Sequence, residues 1–212
     1  FKKDFQIISG FRYDENSLFG NHLGPHFSVM YKSKNLSCRF NISKNFRSPS
    51  LKELYMSWDH LGMFYVRGNE NLQPEKSDYI STSIEFSKPK FNLTIKPYFY
   101  HIRNMIVMVE NLENNEMINK NFGSVDMPGL DIYTKFILGD YVRISTTLSI
   151  SEPKDSNTDI QVDGTNRTSV SNIISLFNDS HSFNISQKYL SSTFYSYRES
   201  IPDYYVLNLS YI

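Results

Sequence analysis

The stretch Phe91–Tyr100, FNLTIKPYFY, sets the reading of the fold. Phe91, Leu93, Ile95, Pro97 and Phe99 alternate with Asn92, Thr94, Lys96, Tyr98 and Tyr100. A period of two puts the first set on one face of a strand and the second set on the other. The same period recurs elsewhere. Leu36, Cys38, Phe40 and Ile42 alternate with Ser37, Arg39, Asn41 and Ser43. Val142, Ile144, Leu148 and Ile150 alternate with Arg143, Ser145, Thr147 and Ser149. Tyr205, Leu207, Leu209 and Tyr211 alternate with Val206, Asn208 and Ser210. Helical periodicity is absent apart from a turn or two expected within Ser50 to Trp58.

Working outward, the pattern predicts ten strands, over 3–13, 25–33, 36–46, 77–87, 91–107, 122–137, 141–151, 167–177, 181–197 and 203–212. Their connections alternate in length. Long ones are expected at 14–24, 47–76, 108–121, 152–166 and 198–202. Tight ones fall at Lys34-Asn35, Lys88-Pro89, Gly139-Asp140 and Asn178-Asp179, which carry ordinary hairpin chemistry. A strict long–short rhythm describes an up-and-down meander with one rim of tight turns and one rim of elaborate loops. Transmembrane β-barrels are built this way, whereas a Greek-key sandwich does not keep the rhythm. Several runs reach the roughly 9–11 residues that cross a bilayer with tilt. Aromatic residues near strand ends, among them Phe11, Tyr13, Tyr31, Phe46, Tyr79, Tyr141, Tyr205 and Tyr211, suit interfacial girdles. The expected class is therefore all-β: an antiparallel up-and-down transmembrane β-barrel. Alternation alone leaves a second reading open, a soluble or surface-exposed binding module of sandwich or adhesin type.

Composition narrows the classes. The chain has 212 residues, a formal net charge of zero and 15 % aromatic residues, which argues against a basic nucleic-acid binder. The longest uncharged apolar run, Met105 to Val109, is far short of the roughly 20 residues of a membrane helix. One cysteine, Cys38, excludes an internal disulfide framework and a cysteine zinc site. Phe1 opens in mid-pattern, so no signal peptide is expected. Ten strands that start and stop abruptly describe a partial barrel, because open sheet edges are not tolerated in hydrocarbon.

The connection between the third and fourth strands reads FRSPSLKELYMSWDHLGMFYVRGNENLQPEKS, Phe46 to Ser77. Two boxes stand out, Phe46, Arg47, Pro49, Glu53, Leu54 and Tyr55, then Gly68, Asn69, Leu72, Pro74, Glu75 and Ser77. This pairing resembles the TonB-dependent outer-membrane receptors, particularly those of Bacteroidetes-like bacteria. YFYHIRNMI (Tyr98–Ile106) and NFGSVDMPGLDI (Asn121–Ile132) resemble further segments of that family. The resemblance implies a barrel of about 22 strands with a plug folded inside, of which residues 1–212 form part. The plug, the remaining strands and the segment that contacts TonB are expected elsewhere. It implies a place in the bacterial outer membrane, contact with its lipid, no enzymatic activity, no cofactor, no nucleic-acid partner, and uptake of a small scarce ligand such as a ferric siderophore, haem or cobalamin.

The second box has a local physical reading. Gly68 is available for positive φ, Asn69 and Asn71 cap turns, and Pro74 stiffens the chain and ends any helix. The box is expected to shape the loop first. Between the boxes lies His60, where haem-importing members of the family carry a histidine. Neutral imidazole is a common axial ligand of haem iron, and Trp58, Met63, Phe64 and Tyr65 supply an aromatic and apolar setting. Arg47 and Arg67, with Arg39 and Arg143, present cations suited to anionic siderophores or haem propionates. The candidate ligand-binding set is His60, Arg47, Tyr55, Trp58, Tyr65 and Arg67, with His60 the candidate metal ligand. Asp155, Asp159 and Asp163 lack the spacing of a calcium loop and read as a solvated loop. The five histidines have no metal-ligand spacing and no nucleophile motif occurs.

Overall fold

The computed structural model describes residues 4–111 and 114–211. The expected strand ends at Lys3 and Ile212, and residues 112–113 of the expected loop 108–121, lie outside the described residues. In chain order the strands are β1 (Phe5–Asn16), β2 (Gly20–Ser33), β3 (Leu36–Arg47), β4 (Ser57–Asp59), β5 (Tyr65–Arg67), β6 (Glu75–Lys88), β7 (Phe91–Asn111), β8 (Glu116–Leu138), β9 (Val142–Ser151), β10 (Lys154–Asp155), β11 (Thr165–Asn166), β12 (Thr168–Phe177), β13 (Ser182–Leu190), β14 (Thr193–Phe194) and β15 (Tyr204–Tyr211). One short helix, α1 (Leu51–Tyr55), lies between β3 and β4.

Among the described residues, the wall follows the order β1-β2-β3-β6-β7-β8-β9-β12-β13-β15. Every neighbouring pair in it is antiparallel. This is the expected ten-stranded meander, an open part of a barrel wall. The five short strands belong to loops, and they are the elements that alternation did not foresee.

The register fixes the two faces. Phe27, Ile42, Ile80, Phe99 and Pro128 stand in one row across β2, β3, β6, β7 and β8. Ser28, Asn41, Ser81, Tyr98 and Gly129 form the neighbouring row on the opposite face. Phe27, Ile42, Ile80 and Phe99 are exposed, as are Leu207 and Leu209. No second layer of described residues covers them. The buried apolar side chains are Leu54, Val66, Leu72, Val125 and Val162, and four of the five belong to loops. A sandwich would bury its apolar strand face against a second sheet. Here that face is bare, which is how a wall meets acyl chains, and the sandwich alternative falls.

The opposite face is polar and close-fitting. Lys96 Nζ lies 5.9 Å from the centre of the Tyr79 ring and 5.8 Å from that of Tyr98. Tyr79 and Tyr100 rings pack at 4.3 Å. Asn41 Nδ2 donates to Ser81 Oγ at 3.2 Å. Gly129 is opposite Tyr98, and a Cβ there would overlap the tyrosine ring. Tyr98 and Tyr100 line the inner face, as expected from their parity. Of the other two inward arginines, Arg39 reaches Met30 Sδ at 3.1 Å and Arg143 lies over the Phe177 ring.

The rhythm of connections holds with three corrections. Residues 14–24 are not a long loop: β1 and β2 pair up to Asn16↔Gly20 around a turn at 17–19. Residues 108–121 are mostly strand, since β7 and β8 stay paired to Asn111↔Glu116. The strand expected over 181–197 ends at Leu190, and Tyr195 to Tyr197 lie outside any strand. The first two share a cause: beyond the bilayer both faces of a hairpin meet water, so period two disappears from the sequence.

Candidate functional site

The long-loop rim is organised by the paired boxes. Arg47 ends β3 and Glu75 begins β6, directly opposite in register. Arg47 Nε and Nη2 donate to Glu75 Oε2 and Oε1 at 2.7 and 2.8 Å. Arg47 Nη1 donates to both Glu53 oxygens at 3.0 Å. Glu75 Oε1 also accepts from the Ile106 N–H at 2.7 Å. The hydrogen bond to Glu75 raises the Arg47 pKa further, with Glu53 adding to it and burial opposing.

Glu53 closes a capping box on α1. Its Oε2 accepts from the Ser50 N–H at 2.7 Å, and Ser50 Oγ accepts from the Glu53 N–H at 3.2 Å. Burial pushes the Glu53 carboxyl up. The Ser50 N–H, its hydroxyl and Arg47 outweigh that, and the group titrates below the ordinary glutamate value. Leu54 from the first box and Leu72 from the second are 3 % and 1 % exposed. The Gly68 N–H donates to Met56 O at 2.6 Å and the Asn69 N–H to Glu53 O at 2.8 Å.

A correction concerns Gly68. Positive φ occurs at Gly20, Gly62, Gly139 and Gly164, and Gly68 is not among them. Its need is close approach: a Cβ there would overlap the Leu54 carbonyl. Asn69 does cap its turn, accepting from the Asn71 N–H at 3.0 Å.

The loop then crosses to the protruding β7–β8 hairpin. Asn69 Nδ2 donates to Asn119 O at 2.9 Å. Asn121 Nδ2 donates to Gln73 O at 2.8 Å, and its Oδ1 accepts from the Gln73 N–H at 2.7 Å. The β4–β5 hairpin docks its β5 strand parallel to β8, from Tyr65↔Glu116 to Arg67↔Ile118. Arg67 Nε reaches Glu116 Oε1 at 2.8 Å, and Asn115 Nδ2 donates to Met63 O. The 48–74 loop is thus a tethered cap built on the hairpin.

The candidate ligand residues divide among these parts. Arg47 sits in the carboxylate fork at the loop root. Tyr55, half exposed at the end of α1, lines a cavity with Leu18, Phe19 and His22. Tyr65 and Arg67 share one face of the β4–β5 hairpin and Trp58 lies on the other. His60 follows Trp58 in the turn. Its ring centre is 4.7 Å from that of Trp58 and 4.9 Å from that of Phe64, and its buried Nδ1 has no hydrogen-bond partner. So Trp58, His60 and Phe64 are brought together, while Arg47 belongs to a separate cluster.

A second set was not foreseen. A cavity of about 340 Å³ opens where the β7–β8 hairpin meets the loops after β9 and β13, lined by Phe64, Glu110, Asp163, Tyr195, Tyr197 and Arg198 among others. The Arg198 guanidinium is 4.0 Å from the Tyr195 ring centre and 5.7 Å from that of Tyr197. Asp163 pins this wall, accepting from the Ser196 N–H at 2.7 Å and its hydroxyl at 3.0 Å. The other acids of that run are also occupied. Asp155 accepts from the N–H groups of Asn157 and Thr158, and Asp159 pairs with Lys154 at 3.3 Å. Among the described residues no cluster has the makings of a metal site. The one available signal was Tyr-Ser-Tyr-Arg at 195–198, an aromatic and basic cluster just before Pro202.

A match to the family described as TonB dependent receptor-like, beta-barrel, runs over residues 1–211. The chain belongs to the TonB-dependent receptors. Its wall is accordingly an outer-membrane wall, and the family is one of transporters rather than enzymes. Comparison with curated protein sequences gave no match. The fold is similar to that of the ferric enterobactin receptor PfeA from Pseudomonas aeruginosa, at 16 % identity and a TM-score of 0.75, over 99 % of this chain and 35 % of that one. It is similar to the siderophore receptor PirA from Acinetobacter baumannii, at 13 % identity and TM-score 0.73, over 98 % and 37 %. It is also similar to the copper transporter OprC, at 10 % identity and TM-score 0.75, over 99 % and 37 %. The chain thus spans about a third of the length of these structures.

Proposed function

We propose that the whole receptor captures a ferric siderophore at its outer mouth and takes it up with energy delivered by TonB. TonB would act through a segment outside this chain, on a plug held inside the completed barrel. The chain's share is part of the wall and the caps of the mouth. The observation that carries the ligand class is the cavity edged by Arg198 and the Tyr195 and Tyr197 rings. A cation held on aromatic faces suits an anionic complex with flat donor groups. One of the similar folds belongs to a protein named a ferric enterobactin receptor and another to one named a siderophore receptor.

A second reading rests on His60. Its buried Nδ1 beside Trp58 and Phe64 has no hydrogen-bond partner, and an imidazole in an aromatic setting is a common ligand for haem iron, here taken as cargo. One experiment separates the two. The full-length receptor is titrated with a panel of ferric siderophores and with haem, each also against Arg198→Ala and His60→Ala. Siderophore binding weakened by Arg198→Ala and spared by His60→Ala supports the first reading. A Soret shift abolished by His60→Ala supports the second. Tight binding of neither class sinks both.

A further inference from the structure

One row of the outward face is polar where its neighbours are apolar. Thr134, Thr146, Asn172 and Gln187 stand side by side across β8, β9, β12 and β13. Two residues away on one side lie Phe136, Ile144, Ile174 and Ile185, and on the other Ile132, Leu148, Val170 and Tyr189. Phe136 is opposite Phe91, which shares the outward face of β7 with Phe99. Positions two apart on a strand share a face, so all three rows look outward. Thr146 is four residues from Val142 and four from Ile150, the ends of the apolar face of β9. Four residues at roughly 3.4 Å each, tilted by about 40°, rise about 10 Å. The row therefore crosses the interior of the apolar band, which in outer-membrane barrels is about 25 Å tall.

The amides set this row apart. Asn41, Asn92, Asn184 and Asn208 all have the parity of the inner face, opposite Ser81, Ser87, Ser175 and Ser186. Asn172 and Gln187 face outward and are directly opposite each other in register. Thr146 Oγ1 donates to Asn172 Oδ1 at 2.8 Å, which leaves the Asn172 Nδ2 hydrogens for another acceptor. Gln187 is exposed, and its amide meets no partner among the described residues. An amide turned to hydrocarbon without a partner is costly. Polar side chains at that depth pair with one another.

We propose that β12 and β13 form the centre of a two-fold interface between two copies of the receptor, held by amide pairs between Asn172 of one copy and Gln187 of the other. A two-fold axis along the membrane normal, between β12 and β13, exchanges the two positions, so each pair is made twice. The tilt of the row offsets them by about 3 Å in height, within reach of two amide side chains. An amide both donates and accepts, so the row complements itself, whereas acyl chains cannot answer it. Ile174, Leu207 and Leu209, all exposed, pack around the pairs. The five strands β8, β9, β12, β13 and β15 present a face roughly 24 Å wide and 25 Å tall. Its burial on both copies covers about 1,200 Å², the lower end for a specific interface.

The test begins with disulfide cross-linking in native outer membranes, in a cysteine-free background that includes Cys38→Ser. Cells making Asn172→Cys and Gln187→Cys copies together should yield a covalent receptor dimer. Ile84→Cys, on the outward face of β6, should yield none. Sedimentation equilibrium of the full-length receptor in detergent then gives the dissociation constant of the dimer. Asn172→Leu/Gln187→Leu should raise it roughly tenfold, for two amide pairs lost in a membrane setting. The barrel should still fold, because leucine suits a lipid-facing position. Asn172→Gln/Gln187→Asn keeps both amides and should keep the dimer. A receptor that is monomeric in both assays, an unchanged dissociation constant in the leucine variant, or cross-links from 172 and 187 to a different protein would each overturn the proposal.

Discussion

Arg47 and Glu75 are joined by two nearly parallel hydrogen bonds of 2.7 and 2.8 Å, from the last residue of β3 to the first of β6. The pair closes the whole 48–74 loop at its root, and Glu53 extends it into α1. Arg47 is 45 % exposed and Glu75 18 %, so water screens part of the attraction. Arg47→Ala should destabilise the loop by about 1–2 kcal/mol and leave the wall intact. Hydrogen exchange on the full-length receptor checks this. Protection should fall across 50–74 and hold in β7 and β8 below the rim. Unchanged protection in the loop would show that the fork is ornamental.

Glu53 gives the same loop an acid limit. Its carboxyl titrates below the ordinary glutamate value, so the folded loop favours the ionised form. The stabilisation is complete above about pH 4.3 and is lost as pH falls through the lowered value. Loop exchange, corrected for the intrinsic rate, should therefore rise only in strong acid. Glu53→Gln cannot ionise, so it should loosen the loop at neutral pH and flatten the acid dependence. A wild-type loop that loosens between pH 5 and 7 contradicts the assignment.

Gly68 tests close approach against conformational freedom. Its φ is not positive, so alanine carries no backbone strain of the left-handed kind. The obstacle is the Leu54 carbonyl in the space a Cβ would fill. Gly68→Ala should push α1 off the second box and expose Leu54 and Leu72, costing about 1–3 kcal/mol locally. Protease cleavage within 48–74 of the intact receptor reads this out. Gly62→Ala makes the contrast: it meets open space at φ +76° and should cost only the strain of its turn.

The wall was legible because a strand with two different solvents writes period two into the sequence. Leu36, Phe40 and Ile42 against Ser37, Arg39 and Asn41 could be read directly. What that pattern cannot encode is whether the apolar face meets lipid or another sheet, and only the bare face of Ile42, Ile80 and Phe99 decides it. Asp14 to Asn16 and Met108 to Asn111 hid their strands because both faces there meet water or a loop. The paired boxes stood out only through their resemblance to a family pattern; that Arg47 would be held by Glu53 and Glu75 rather than kept for a ligand was not legible, because the three meet only when the loop folds back on its own root. Tyr195, Tyr197 and Arg198 were not legible either, since their partners Glu110 and Asp163 come from other loops. Nothing in local spacing marks a contact that only the closed rim creates.

Asp163 makes that last contact mechanical. Its two oxygens hold Ser196 by the backbone N–H and the hydroxyl, and Ser196 lies between Tyr195 and Tyr197. The Gly164 N–H adds a bond to Phe194 O at 2.8 Å. The two loops are therefore clamped just where the tyrosines present their rings to Arg198. Asp163→Ala removes both acceptors and keeps every residue that faces the cavity's aromatic side. If the proposed siderophore reading holds, it should weaken siderophore capture by roughly tenfold, in line with the loss of two exposed hydrogen bonds to a charged acceptor. Ser196→Ala, which keeps the backbone bond, should lose about half as much in free energy. Neither change should alter exchange in the 48–74 loop. Equilibrium binding to the three full-length proteins gives the ranking, and an Asp163→Ala receptor that binds like wild type removes this clamp from the site.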